Sequence, residues 1–274
     1  LKKAPISILM SVYQKEKTKY FTEAIESILA QTIQPEEIFL VIDGPLTTEL
    51  DTIIANYKRC LGHQLTICKL KQNQGLGVAL AKGVSLCRNE LIARMDADDI
   101  MVNNRLEIQL KEFQEEPNLV IIGTDIIEFS HNIENVTGKR IVPKTNEEIR
   151  AFSKKRNPFN HMTVMYKKSA ILAVGNYLPL KGFEDYYLWV RLLKKGYEGK
   201  NIANILVYAR AGDKMYMRRG GVSYLFPGLR GRWYIYKDGI GNFIDYMLSS
   251  TVHVVISLMP NRFRGLFYKK ILRK

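Results

Sequence analysis

Four apolar runs of strand length, separated by stretches of helical spacing, constrain this chain more than any other feature. Ile6 to Val12, Ile38 to Ile42, Leu65 to Leu70 and Leu91 to Met95 are each nearly continuous in apolar residues. Between the first two, Phe21, Ala24, Ile25, Ile28 and Leu29 recur at helical spacing. Leu50, Ile53, Ile54 and Tyr57 do so between the next two, and the turn Asn73-Gln-Gly-Leu-Gly77 opens a third helix through about Leu86. Strands without polar alternation are buried on both faces, so this β-α-β-α-β-α-β pattern predicts a mostly parallel sheet covered by helices on both sides. Right-handed crossovers bring the strands' carboxyl ends to one edge, where open α/β sheets bind their ligands. Tyr13, Asp43, Asn73 and Asp96 each follow a strand and would gather there.

The fourth run ends in Asp96-Ala97-Asp98-Asp99. Residues two apart on an extended chain point the same way, so Asp96 and Asp98 can face one spot. Two carboxylates that close repel each other unless a cation neutralises them. Hard oxygen ligands suit Mg²⁺ or Mn²⁺ shared with the phosphates of a substrate. The alternative is an acidic loop that caps the helix following from about Asn104. The Asn73 turn has neither the GxGxxG fingerprint nor the Walker lysine and hydroxyl, so Gly75 and Gly77 read as a tight turn or a close approach to a ligand.

Further along, Val120 to Gly123 reads as a strand, and Ile126 to Phe129 and Arg140 to Val142 as strands joined by a polar turn. Thr145-Asn-Glu-Glu148 is a capping box, and Thr163 to Tyr166 a strand. Gly182-Phe-Glu-Asp185 opens a helix whose apolar positions include Leu188, Trp189, Leu192 and Leu193. Glu184 and Asp185 occupy its first turn, where the helix dipole alone would favour acids. Ile202 to Ala209 is the last strand, followed by Arg210, Lys214, Arg218 and Arg219 in a glycine-containing segment.

The 41 lysines and arginines exceed the 27 aspartates and glutamates by 14 charges, which favours a polyanionic partner: nucleic acid, anionic lipid or a phosphorylated substrate. Much of the excess follows Ser223, where basic residues interleave with Phe226, Trp233, Tyr234, Tyr236, Phe243, Tyr246, Phe263, Phe267 and Tyr268. Tyr246 to Met259 is apolar but short and rich in Ser, Thr and His, as suits an interfacial helix or one packed on the domain. Cys60, Cys68 and Cys87 form no CxxC pair, and a reduced, cytosolic setting is expected. Neither a secretory leader nor a spanning helix is expected from the apolar runs.

Taken together, Ser11-Val12-Tyr13, Asp43-Gly44, Asn73-x-Gly75, the DxD sequence Asp96-Ala97-Asp98 with Asp99, and Glu184-Asp185 with Trp189 and Arg191 resemble the family-two glycosyltransferases of GT-A fold. The resemblance runs from about Ile6 to about Gly221 and is nearest to bacterial enzymes of capsule, exopolysaccharide or lipopolysaccharide synthesis. It implies a Rossmann-like GT-A domain over residues 1–222, with a nucleotide-sugar half at 1–125 and an acceptor half at 126–222. Residues 223–274 would form a basic, amphipathic helical tail. It further implies an inverting, metal-dependent transfer from a nucleotide-diphosphate donor, a UDP-sugar, to a saccharide or lipid-linked acceptor. Ser11, Val12, Tyr13, Asp43, Asn73 and Gly75 would hold the nucleotide, Asp96 and Ala97 the ribose side, and Asp96 and Asp98 the Mn²⁺ or Mg²⁺. Arg218 and Arg219 would meet phosphate, with Asp213 a remote metal candidate. Asp185 would be the catalytic base beside Glu184, with His161 and Trp189 near the acceptor. The tail would dock the enzyme peripherally at the cytoplasmic face of the cell membrane, with no nucleic acid as partner.

Two other classes compete. A sugar-nucleotide nucleotidyltransferase would release pyrophosphate and would carry a Gly-rich basic loop where Ser11-Val12-Tyr13 stands. A nucleic-acid-binding protein would explain the charge, but no recognised binding motif is present.

Overall fold

The computed structural model describes residues 2–211 and 220–260, together with Arg264. The first half runs β1 (Lys3–Val12), α1 (Thr18–Leu29), β2 (Gln34–Ile42), α2 (Thr48–Leu61), β3 (Leu65–Lys69), α3 (Leu76–Leu86), β4 (Leu91–Arg94), β5 (Ile100–Met101) and α4 (Arg105–Glu115). The second runs β6 (Leu119–Phe129), β7 (Val136–Arg140), α5 (Asn146–Ser153), β8 (Met165–Lys167), α6 (Lys168–Ala173), α7 (Glu184–Lys194), β9 (Glu198–Arg210), α8 (Val222–Lys237) and α9 (Phe243–Leu258).

β1 shows how the layers arise. Ile6, Ile8, Met10 and Val12 join one core cluster and Leu9 the other, as the twofold period of a strand requires. The first cluster takes Phe21, Ile25 and Ile28 from α1, Leu50 and Ile54 from α2, and Leu106 from α4. The second takes Leu80 and Val84 from α3, Ile171 from α6, and Leu188, Trp189 and Leu192 from α7. Each large apolar side chain so buried contributes roughly 1.5–3 kcal/mol.

The strands lie in the order β3-β2-β1-β4-β8-β6-β9-β5, with β7 paired to β6. β3, β2, β1 and β4 are mutually parallel, as are β6 and β9. β8 enters antiparallel between β4 and β6. The mostly parallel sheet expected from the apolar runs is present, with β8, β5 and β7 antiparallel to their neighbours, and Val12, Ile42 and Arg94 end on one edge.

The second half departs from the expected spans. The two runs Val120–Gly123 and Ile126–Phe129 are one strand, β6, because its neighbours β8 and β9 satisfy its polar backbone along its length. Its hairpin partner β7 precedes the expected Arg140–Val142. β9 starts earlier than expected and is long enough to pair β6 and then hold the two-residue β5, which sequence reading missed.

The tail expected from Ser223 is helical as far as it is described. α8 and α9 form an antiparallel pair, with His253 seated against Gly228. α8 packs on α7 through Gly231 against Phe183 and Tyr234 beside Tyr187. Residues 261–263 and 265–274, with Phe263, Phe267 and Tyr268, lie outside the described residues. Among the described residues, no helix is long and apolar enough to cross a membrane.

Candidate active site

The acidic turn is strapped between the sheet's centre and its far end: β4 leads in, and β5, tied to β9, leads out. One carboxylate oxygen from each of Asp96, Asp98 and Asp99 lies within 4.8 Å of the others. Buried Arg94 pairs with Asp96 at 2.5 Å. Arg210, at the end of β9, donates its backbone N–H to Asp99 Oδ1 at 2.7 Å and its Nε–H to the Asp98 carbonyl at 2.9 Å. Its guanidinium stacks over Tyr20 at 3.9 Å and pairs with Glu23.

This concentration of acid is costly without a cation. Burial, then Asp96 and Glu16, push the Asp98 carboxyl up to about 7. Burial, then Asp98 and Asp96, raise Asp99 well above the usual carboxylate range. Asp99 Oδ2 is buried with no hydrogen-bond partner among the described residues. Three hard oxygen donors converging around an orphaned buried oxygen fit a divalent cation of the Mg²⁺ or Mn²⁺ type. The capping alternative for these acids is not what α4 uses, since its first residue follows Asn104 without a side-chain cap.

A cavity of about 530 Å³ opens beside the acids. Ser11, Tyr13, Asp43, Asn73, Gly75, Asp96, Ala97 and Asp98 all line it. Val12 does not; its side chain is core, while its carbonyl accepts from Asp43 N at 2.8 Å. Asp43 in turn clamps the neighbouring loop, its carboxylate accepting from Gln74 N at 2.7 Å and Gly75 N at 3.0 Å. Gly44 lets the two loops touch: it has φ +88°, and a Cβ there would lie 2.5 Å from Asn73 N.

A second cavity, of about 470 Å³, lies between α7 and α9. Arg140 and Met162 line both, so the two are neighbours. Asp185 lines the second and accepts from Asn157 Nδ2 at 2.6 Å. Burial raises its carboxyl above the usual range, against the lowering effect of the Tyr186 backbone N–H and Asn157. Glu184 lines neither cavity; it packs against Gly77 at the start of α3, and burial pushes it up to about 7. His161 does line the second cavity, bonded to the Tyr177 hydroxyl at 2.9 Å and kept neutral by burial and by Arg94. Trp189, expected near the acceptor, lines neither: it is fully buried, its ring against Phe159, His161, Tyr166 and Tyr177. Arg218, Arg219 and Asp213 lie outside the described residues.

Glu16, Arg94, Asp99, Arg140 and Arg210 are given no site role by the sequence alone. Arg94 and Arg210 flank recognisable signals, one ending the strand into the acids and the other ending the last strand. Arg94 is fully buried, and its charge acts on Asp96, Asp98, Asp185 and His161, so it underlies both cavities.

Residues 7–175 match the family model described as "Glycosyl transferase family 2", a span that ends before Asp185. An "Uncharacterized glycosyltransferase" of Haemophilus influenzae is 39% identical over 268 residues, covering 98% of this chain and 99% of its own. The Escherichia coli UDP-Gal:alpha-D-GlcNAc-diphosphoundecaprenol beta-1,3-galactosyltransferase is 33% identical, covering 98% of this chain and 96% of its own. Among solved structures, a mannosyltransferase from Pyrobaculum calidifontis in complex with GDP-Man and Mn²⁺ superposes with a TM-score of 0.62 at 13% identity, covering 97% of this chain and 84% of its own. The sheet order, the acidic turn at its edge and these likenesses agree, and the chain belongs to glycosyl transferase family 2.

Proposed function

We propose that this glycosyltransferase is a metal-dependent, inverting enzyme that moves a sugar from a UDP-sugar to a saccharide or lipid-linked acceptor in bacterial surface-polysaccharide synthesis. The observation that carries the reading is the adjacency of the two cavities, one edged by the acid cluster and the other by Asp185. The donor's nucleotide lies along Ser11, the Val12 backbone, Tyr13, Asp43, Asn73 and Gly75. Its diphosphate lies at Asp96, Ala97 and Asp98, with Arg218 and Arg219 offered as further phosphate contacts. Mg²⁺ or Mn²⁺ held by Asp98 and Asp96, with Asp99 beside them, would neutralise charge on the departing diphosphate.

Asp185 takes the proton of the acceptor hydroxyl as that oxygen attacks the anomeric carbon. The bond from that carbon to the diphosphate oxygen breaks on the opposite face, so one displacement inverts the centre. Asn157 holds the carboxylate in place through its 2.6 Å hydrogen bond. Glu184 supports the turn, His161 lines the acceptor side, and Trp189 acts through the rings around His161. Residues 1–222 form the transferase, and residues 223–274 dock it peripherally on the cytoplasmic membrane face. The exposed apolar side chains of α8 and α9 support the docking, Phe226 at 64% and Ile244 at 65% among them.

A thermal-shift screen of UDP, dTDP and GDP sugars with Mn²⁺ tests the donor. Stabilisation by a UDP-sugar, with free UDP released on transfer, is the expected result. Release of pyrophosphate instead would make the protein a nucleotidyltransferase.

A further inference from the structure

The second cavity has a basic wall to which the chemistry at Asp185 assigns no work. Lys155, Arg156 and Arg232 border it. Arg232 is anchored, its Nε–H donating to the Ser249 carbonyl at 2.9 Å and its guanidinium lying 5.1 Å over the Phe183 ring. Arg140 stands beside Asp185, its Nη2–H donating to the Asn157 carbonyl while the Asn157 amide holds the Asp185 carboxylate. Arg232 is tied instead to α9 through Ser249, and Lys155 pairs with Asp245 in the first turn of α9 at 3.4 Å. An anion on the α9 side of the cavity therefore meets these cations and lies away from the Asp185 carboxylate.

α9 adds apolar side chains to the lining, beside Ser249 and His253. Leu248, Val252 and Ile256 line the cavity, and Leu248 and Val252 are also 52% and 49% exposed. They continue outward into Ile244 and Val255, four residues before Leu248 and three after Val252, a single helical stripe. The cavity mouth thus opens onto an apolar track.

We propose that this cavity takes a sugar carried on a polyprenyl diphosphate, its diphosphate held by Lys155, Arg156 and Arg232 and its first lipid units by Leu248 and Val252. The inference rests on the transferase reading and assigns that reading's lipid-linked acceptor to particular residues. Guanidinium groups suit phosphate oxygens because their paired N–H donors match them in geometry. With the acceptor hydroxyl at Asp185, a diphosphate on the far side of the sugar ring falls at the opposite end of the cavity. A water-soluble sugar phosphate would meet the same cations and leave Leu248 and Val252 unused.

Calorimetric titration of the full chain in EDTA, which removes metal from the donor side, separates these sources with three probes. Farnesyl diphosphate is expected to bind at least tenfold more tightly than either farnesol or inorganic pyrophosphate. Arg156→Gln should weaken farnesyl diphosphate at least fivefold. The double variant Leu248→Ser, Val252→Ser should weaken it similarly while leaving pyrophosphate unchanged. If farnesyl diphosphate binds no better than farnesol, or Arg156→Gln has no effect, the wall is not a phosphate site. If it binds no better than pyrophosphate, the ligand is a free phosphate and the lipid assignment falls. UDP titrated with Mn²⁺ gauges the donor side separately: its failure alongside the expected farnesyl diphosphate results would sink the donor reading and leave this one standing.

Discussion

Asp185→Asn tests the proton transfer with little change of shape. Asn keeps an oxygen that can accept from Asn157, whose bond to Asp185 is 2.6 Å long, but it cannot take up the acceptor's proton. Loss of a general base costs roughly 10²–10⁴-fold, so kcat should fall at least ~100-fold, about 2.7 kcal/mol of barrier at 1.36 kcal/mol per tenfold. The fold should not suffer. Burial raises the Asp185 carboxyl from its ordinary 3.8, so the folded state holds that proton to higher pH than the unfolded chain does. Relative stability from this group is therefore greatest below the ordinary value and is lost as pH rises through the raised one. At neutral pH the variant should melt no lower than the parent. The parent's kcat should have an acid limb above the ordinary aspartate range, because only the ionised form accepts a proton, and the limb should vanish in the variant's residual rate. Steady-state transfer from pH 5 to 9, with UDP affinity as control, reads all of this. Near-normal kcat in Asp185→Asn, with loss in Glu184→Gln instead, would show that the base was assigned to the wrong neighbour.

Gly44→Ala forces a side chain into a left-handed backbone position 2.5 Å from Asn73 N; denaturant unfolding should register a loss of about 1–3 kcal/mol, and donor affinity should fall with it. Arg210→Met removes the ion pair to half-exposed Glu23 and the bond to the Asp98 carbonyl; losing charge-assisted hydrogen bonds of this kind costs about 1.5–3 kcal/mol, and a loss under about 0.5 kcal/mol would refute its role as the clamp of the acidic turn. Ile244→Ser with Leu258→Ser, at positions 65% and 63% exposed, should weaken sedimentation with anionic vesicles about thirtyfold at unchanged Tm, since the two apolar side chains contribute about 1 kcal/mol each when buried. Equal vesicle binding by both proteins would remove the docking surface.

The donor side was legible because its signals are local. Continuous apolar runs named the parallel strands, and polar residues just past each run named Tyr13, Asp43, Asn73 and Asp96 before any contact was known. The second half was less legible because its pairing is not local. β6 reads as two pieces in sequence, and only its neighbours β8 and β9 make it one strand. β5 has two residues and exists because β9 reaches it. In the sequence Arg94 and Arg210 are marked only as the last residues of strands; their roles are defined by the carboxylates the fold brings to them. Asp185 was expected as the base and Trp189 near the acceptor. Four residues apart on α7 they share one face, but Asp185, in the first turn, reaches the cavity, while Trp189, one turn further along, is buried in the core.

The central claim is that Asp96, Asp98 and Asp99 take a divalent cation together with a nucleoside diphosphate. Titrating UDP into the protein with Mn²⁺, then with excess EDTA, and then into Asp98→Ala with Mn²⁺, addresses it directly. The expected result is binding in the first case, a loss of at least tenfold in each of the others, and an unchanged melting temperature for the metal-free variant. Equal UDP affinity with and without metal, unaffected by Asp98→Ala, would contradict it.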